Sequence, residues 1–237
     1  MSFTETIEYI WSVRGLVLES LGISILIAFG ALVIGFVIGV VLAVIRIAPK
    51  TNIFIKILDK IAQLYITVIR GTPTMVQLLI MYSSIMVSFK YLETNILVPI
   101  AAFGINSGAY MAEIIRSGIK SVDVGQIEAG RSVGLSWVTT MVKIVIPQAI
   151  KVVVPTIFNE IIILVKETSV VSVIALRIGG IQKWDLLGLT SKMAVARPAT
   201  YNAFLYTAAA LYLIVVLILT FVQKRIEKRM QINERHR

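Results

Sequence analysis

The sequence predicts an all-α membrane protein of about five transmembrane helices, with a short helix between the third and fourth, its N-terminus outside and its C-terminus inside. Three observations carry that reading. The chain is 57% hydrophobic and 15% charged, with a mean hydropathy of +0.88, whereas soluble domains carry about 25% charged residues. Five stretches approach the roughly 20 apolar residues that a bilayer-spanning helix needs. Once these are placed, 15 Lys and Arg fall on one side and 6 on the other, and the basic-rich side is the cytoplasmic one.

Residues 1–19 form an external N-terminal segment. Ser20–Ile45 then runs without a charge and is the first span. It exceeds a signal-peptide core and follows a net acidic stretch (Glu5, Glu8, Arg14, Glu19), so it reads as a retained helix. Ala31, Gly35 and Gly39 make a small-residue stripe suited to helix packing. The second span, about 61–87, holds Arg70 and the Gly71-Thr72-Pro73 break, where proline removes an amide donor. The third, about 95–115, is uncharged until Glu113. The fourth, about 149–175, holds Glu160, Lys166 and Glu167. The fifth, 198–223, is uncharged, and 224–237 is a basic tail. Together 20–223 read as one membrane domain, with no room for a fused soluble domain.

Between the third and fourth spans lies an inside loop, 116–148. Asp123 and Gln126 suggest a capping-box variant. Gly134 sits where a helix can end in a left-handed residue, and Ser136 can cap a second helix, 137–146, ending at Pro147. In this reading Ile127, Val133 and Trp137 rest on the membrane core while Glu128 and Arg131 face out.

Some functions are excluded by composition. There is no cysteine, and the one histidine, His236, is next to last, which removes thiolate chemistry, disulfides and His-based triads or metal sites. No G-x-x-x-x-G-K-[ST] phosphate loop occurs. The net charge of +10 is accounted for by the inside loops and requires no nucleic acid.

Glu128-Ala129-Gly130, three residues, Gly134, nine residues, then Ile144-x-Ile146-Pro147 resembles the EAA loop of ATP-binding cassette importers, E-A-A, three residues, G, nine residues, I-x-L-P. Gly130 and Ile146 depart from that pattern without changing its spacing. The segments RGTPTMVQLL at 70–79, AYMAEIIRSGIKSVDVGQIEAG at 109–130 and KETSVVSVI at 166–174 are similar to the polar amino acid permeases of that superfamily, over about 15–225. The resemblance implies a multi-pass subunit of the bacterial cell membrane, not itself an enzyme, that binds no cofactor. It would pair with an identical or sister subunit. Two cytosolic ATPase subunits using ATP and Mg would grip the EAA helices as couplers, through Glu128, Ala129, Gly130 and Gly134. An external solute-binding protein would deliver an amino acid, and loop 177–197 would offer its docking surface, with four basic residues against one acid.

Ionisable groups within a span usually face an interior or a water-filled cavity. Glu160 and Glu167 are seven apart, hence on one helical face about 10 Å apart, with Thr156, Ile163 and Leu164 on or beside that face and Asn159 off it. In one reading a carboxylate takes a substrate's α-ammonium and the other a cationic side chain, as of arginine, lysine, ornithine or histidine. In the other, both make internal ion pairs, with Lys166 and Arg70 as partners. The resemblance places substrate contacts on this helix, which adds Asn159, and it also accommodates glutamine or cystine. Gln77, beyond the Pro73 break, has an amide for a substrate carboxylate. Tyr110 is a further pocket candidate. Arg70 and Pro73 line the pathway or shape it, and Glu113 and Arg116 form a structural i,i+3 pair. Asn106 and Gln63 have no assigned role. An ion-gradient-driven transporter or channel would explain the carboxylates but not the loop spacing, and the halves show no inverted repeat. A membrane scaffold would explain neither.

Overall fold

The computed structural model describes residues 3–88, 96–179 and 181–235; Lys90, Gly180, His236 and Arg237 lie outside them. The order is α1 (Phe3–Ser12), α2 (Arg14–Ile47), α3 (Ile53–Arg70), α4 (Thr74–Ser88), α5 (Leu97–Lys120), α6 (Val124–Ser132) and α7 (Trp137–Thr140). A π-helical turn, Met141–Val145, leads into α8 (Ile146–Glu167) and a 3₁₀ stretch, Thr168–Val173. The strands β1 (Leu176–Ile178) and β2 (Ile181–Lys183), α9 (Leu186–Ala196), a 3₁₀ turn at Pro198–Thr200 and α10 (Tyr201–Arg235) complete the described chain.

Among the described residues, four helices are long and apolar enough to cross a bilayer: Arg14–Ile47, Leu97–Lys120, Trp137–Val173 and Pro198–Met230. The α3–α4 pair makes a fifth if it is counted as one span. The Gly71–Pro73 break is what divides that pair, because Pro73 has no amide to donate. Exposed apolar side chains such as Leu26, Phe29, Val37, Leu213 and Leu217 cover the long helices, a surface that lipid solvates and water does not.

Two features depart from expectation. The helix does not stop at Pro147: Trp137–Val173 is continuous. The π-turn explains this, since the Ile146 amide reaches back to Met141 O, and the wider turn spares the proline ring a clash. Pro155 also lies within α8. And the segment read as loop 177–197 is built, with β1 and β2 pairing antiparallel (Leu176 opposite Lys183, Arg177 opposite Gln182, Ile178 opposite Ile181) ahead of α9. Gly179 supplies the left-handed residue of the connecting turn, at φ +61°, a conformation that costs other residues roughly 1–2 kcal/mol.

The chain forms two compact units. One comprises Met1–Ile34, Thr72–Gly104 and Ile161–Leu219; the other comprises Gly35–Gly71, Ile105–Glu160 and Thr220–Arg237. The first has a core of Ile23, Ile27, Ala31, Leu78, Phe103 and Leu164 and a second cluster that holds α9, in which Leu186, Leu189 and Met193 pack with Val17, Phe204 and Ala208. In the second, Val122, Met141, Val145 and Ala149 pack with Ile127 and Trp137, and Ile66, Ala109 and Ala112 pack with Tyr65 and Ile69.

In lipid, helices gain little by hiding apolar surface from one another, so contact rests on close van der Waals packing. The α2 stripe does this in the second unit. A Cβ on Gly35 would lie 2.9 Å from Ser107 Cβ, and one on Gly108 of α5 would lie 2.7 Å from Ile38 Cγ2. Gly39 abuts Met111 Cβ more tightly still. Gly39→Leu is therefore expected to destabilise by about 1–3 kcal/mol, the usual cost of overpacking. Gly15→Leu, at a position with nothing within 4 Å, should change little; thermal unfolding in detergent compares the two.

Candidate functional site

Helix α6 is held at both ends by local chemistry. The Asp123 carboxylate accepts the Gly125 amide at 2.7 Å, satisfying one of the free donors of the first turn. The reciprocal half of the expected capping box is replaced: Gln126 Oε1 instead lies 3.4 Å from Gln148 Nε2. At the C-terminus Gly134 adopts φ +83°. Its amide donates to Arg131 O at 3.0 Å, and the Leu135 amide to Gly130 O at 3.1 Å, the two bonds of a Schellman motif. Arg131 Nη1 adds a bond to Leu135 O at 2.9 Å. After the turn, Ser136 Oγ accepts the Thr139 amide at 3.1 Å and opens α7.

Gly130 is buried against the helical turns from α7 into α8: a Cβ there would lie 2.8 Å from Thr140 Cγ2 and 3.1 Å from Ile144 Cδ1. The third-position alanine of the E-A-A pattern is thus replaced where the next helix comes closest. Glu128 and Ala129 are exposed. Ile127 and Trp137 pack inward as expected, but Val133 is 76% exposed. It occupies the C-cap, where the chain leaves the helix toward Gly134 and no neighbour covers it. Val124 and Val138 are exposed as well, leaving an apolar and acidic surface around a short rigid helix.

The intramembrane polar residues divide into separate settings. Glu160 is 7% exposed and accepts from Ser107 Oγ at 3.0 Å; nothing in the sequence singles out Ser107, and Asn106 beside it, which has no role assigned from the sequence, is 3% exposed. Asn159 is exposed, and its Oδ1 accepts from Gln223 Nε2 at 3.1 Å, a nitrogen that also reaches Glu227 Oε1 at 3.0 Å. Glu167, in the other unit, closes α8 half-buried. Gln77 turns back on the Pro73 break, donating to Thr72 Oγ1 at 2.7 Å and Thr72 O at 3.2 Å.

Arg70, Tyr110 and Glu113 come together. With Arg46, Gln63, Thr67 and Gly71 they line a cleft of about 500 Å³ in the second unit. The Arg70 guanidinium lies 5.2 Å from the Tyr110 ring centre, Arg116 Nε donates to both Glu113 oxygens at 3.0 and 3.1 Å, and Arg46 and Lys50 pair with Asp59 at 3.0 and 3.1 Å. Gln63, Thr67 and Arg70 are spaced four and three apart on α3, a polar stripe that the 3.6-residue period contains.

In the first unit a cleft of about 630 Å³ lies between the β-ribbon and α9, lined by Trp184, Asp185, Ser191 and Lys192 among others. Of the four basic residues of this segment, Lys183 pairs with Glu19, Lys192 lies over the Trp184 ring at 3.4 Å and Arg197 over Tyr9 at 4.1 Å, and Arg177 is engaged as well. Asp185 caps α9, accepting the Leu187 and Gly188 amides at 3.1 and 3.2 Å. Burial pushes its carboxyl up from 3.8 to about 7, against those two amides. The folded chain therefore holds a proton that the unfolded chain releases above about pH 4, so stability should fall as pH rises from about 4 to 7 and level off above. Asp185→Asn keeps an oxygen for one of the two amides and should remove that slope while lowering the melting temperature throughout, as measurements between pH 4.5 and 7.5 would report.

Residues 35–232 match the family described as binding-protein-dependent transport system inner membrane component. The chain is 35% identical over 220 residues to the arginine transport system permease protein of Bacillus subtilis (strain 168), covering 92% of this chain and 94% of that one. It is 33% identical over 207 residues to a putative glutamine transport system permease protein of Rickettsia typhi (strain ATCC VR-144 / Wilmington), covering 86% and 87%. The crystal structure of an amino acid ABC transporter with histidines matches with a TM-score of 0.83 at 34% identity, over 97% of this chain and 99% of the other.

Proposed function

The chain belongs to the family of binding-protein-dependent transport system inner membrane components, and on that premise we propose that it is the membrane-spanning subunit of an ATP-driven importer of a basic amino acid. It is a multi-pass bacterial plasma-membrane protein of the amino acid ABC permease class. In the proposed assembly it works beside a second permease subunit, two cytosolic ATPases and an external binding protein. The N-terminus is placed outside and the C-terminus inside, on the distribution of Lys and Arg.

The observation that carries the coupling role is α6 itself. Nine residues closed by an Asp123 cap and a Schellman turn at Gly134 move as a rod, whereas a flexible loop would absorb a push from a partner. Its exposed Glu128, Ala129, Val124 and Val133 offer that partner a surface, while Gly130 and Ile127 tie the rod to the helices that would be re-aimed. Substrate is proposed to meet Glu160, with Asn159 on the same helix and Tyr110 in the same unit; Glu167 and Gln77 are separate candidate contacts within the other unit. A buried carboxylate suits a cationic side chain, and an arginine permease stands among the relatives. The glutamine permeases among them support a second reading, in which Glu160 takes only the α-ammonium. Uptake of radiolabelled arginine and glutamine by the reconstituted complex, with and without ATP, decides between them. Uptake driven by a proton or sodium gradient without ATP would overturn both.

A further inference from the structure

The cleft beside α3 holds groups that the proposed coupling and Glu160 contacts do not use. Its charged lining residues are Arg46, Arg70 and Glu113. Arg46 is committed to Asp59 and Glu113 to Arg116. Among the described residues, Arg70 forms no carboxylate ion pair; its guanidinium lies over Tyr110, and the Glu113 carboxylate feels its charge from a longer distance. One and two turns earlier on the same helical face stand Thr67 and Gln63. The Thr67 hydroxyl donates to Gln63 O at 2.8 Å, while the Gln63 side-chain amide lines the cleft.

Three physical points narrow what such a place takes. A guanidinium, an amide and two carboxylate–arginine pairs cannot face acyl chains at low cost, so the cleft opens to water or protein. Arg46 and Lys50 share the one carboxylate of Asp59 and Arg116 pairs with Glu113, so with Arg70 the cations at the cleft outnumber the carboxylates by two, an excess that attracts an anionic group and repels a cationic one. A guanidinium over a ring still presents edge N–H groups in the fork that matches a carboxylate. The volume of about 500 Å³ lies within the range of small-molecule sites.

We propose that this cleft is a carboxylate-binding subsite of the translocation path, in which Arg70, held over Tyr110 and assisted by the Gln63 amide, takes the α-carboxylate of the transported amino acid. This rests on the importer reading and adds to it a division of labour: the carboxylate end is read at Arg70, away from the acidic side chain at Glu160.

The test uses the purified permease–ATPase complex without binding protein or ATP, so that no other carboxylate reader is present. Saturation-transfer NMR measures binding of L-arginine and L-argininamide, and of L-glutamine and its α-amide. The wild type is expected to prefer the free acid by 10-fold or more in at least one pair. Arg70→Gln should reduce that ratio below 3-fold. Arg70→Lys should leave it intermediate, since the charge remains without the fork, and Gln63→Leu should lower it 2–5-fold. The ATPase rate of each complex reports assembly. If Arg70→Gln fails to assemble, Arg70→Lys and Gln63→Leu carry the test together. A wild type without preference overturns the subsite, as does a wild-type ratio in Arg70→Gln or in both milder variants. Failure of ATP-driven uptake in the wild type is a separate result and would sink the importer reading instead.

Discussion

Glu128→Arg is expected to reduce ATP-driven uptake by at least 30-fold while leaving the permease folded in the membrane. Glu128 is exposed on the middle turn of α6, and its structural contribution is made through its backbone carbonyl, which accepts from Ser132 Oγ at 2.9 Å. The side chain can therefore be reversed in charge without disturbing the Asp123 cap, the Gly134 turn or the packing of Gly130. A partner built to meet a carboxylate would instead meet a guanidinium in a desolvated contact. Truncating one member of such a pair costs about 2–5 kcal/mol, and tenfold in affinity is about 1.4 kcal/mol, so reversal should lose the contact almost completely. The measurement is uptake and ATP hydrolysis by the same proteoliposomes, with co-purification of the ATPase as the binding readout. Deleting 126–136 should likewise abolish coupled uptake. Normal ATPase binding and coupled uptake in both variants would remove α6 from energy transfer.

The second large effect is expected at Glu160. Gln is nearly isosteric and keeps an oxygen for Ser107 Oγ, which Glu160 accepts at 3.0 Å, so Glu160→Gln removes charge while preserving the local hydrogen bond. If the carboxylate meets a cationic side chain, the loss is that of a charge-assisted hydrogen bond, about 1.5–3 kcal/mol. That corresponds to a rise in KM of roughly 10- to 100-fold for arginine and lysine, with glutamine much less affected. A purely structural role predicts lowered thermal stability with unchanged selectivity among transported amino acids. Unchanged uptake of all three would take Glu160 out of the path.

The long spans were legible because membrane solvation is a local demand. A helix that must satisfy its own backbone in lipid announces itself by some twenty apolar residues, whatever its neighbours are. The end of α6 was legible for a similar reason, since Asp123, Gly134 and Ser136 act within a few residues of themselves. The stop at Pro147 was misread for lack of a longer view: a π-turn begun at Met141 changes what the proline ring meets. Gln63 and Thr67 carried a signal in their spacing with Arg70, but a polar stripe on one helix does not say what lies opposite it.

Partners set by distance in sequence were out of reach. Nothing in the run around Asn159 points to Gln223, 64 residues on, and nothing around Glu160 points to Ser107, 53 residues before it. Gly130 shows the same division. Its place in the spacing is plain from the chain, yet the reason it is glycine appears only when Thr140 and Ile144 fold against it. The sequence by itself determined which segments are apolar enough to cross a bilayer and where the short helix between them begins and ends, because solvation and capping act over a few residues. Tertiary structure alone decided which polar groups meet inside the helices, because in lipid those meetings depend on close packing between distant segments.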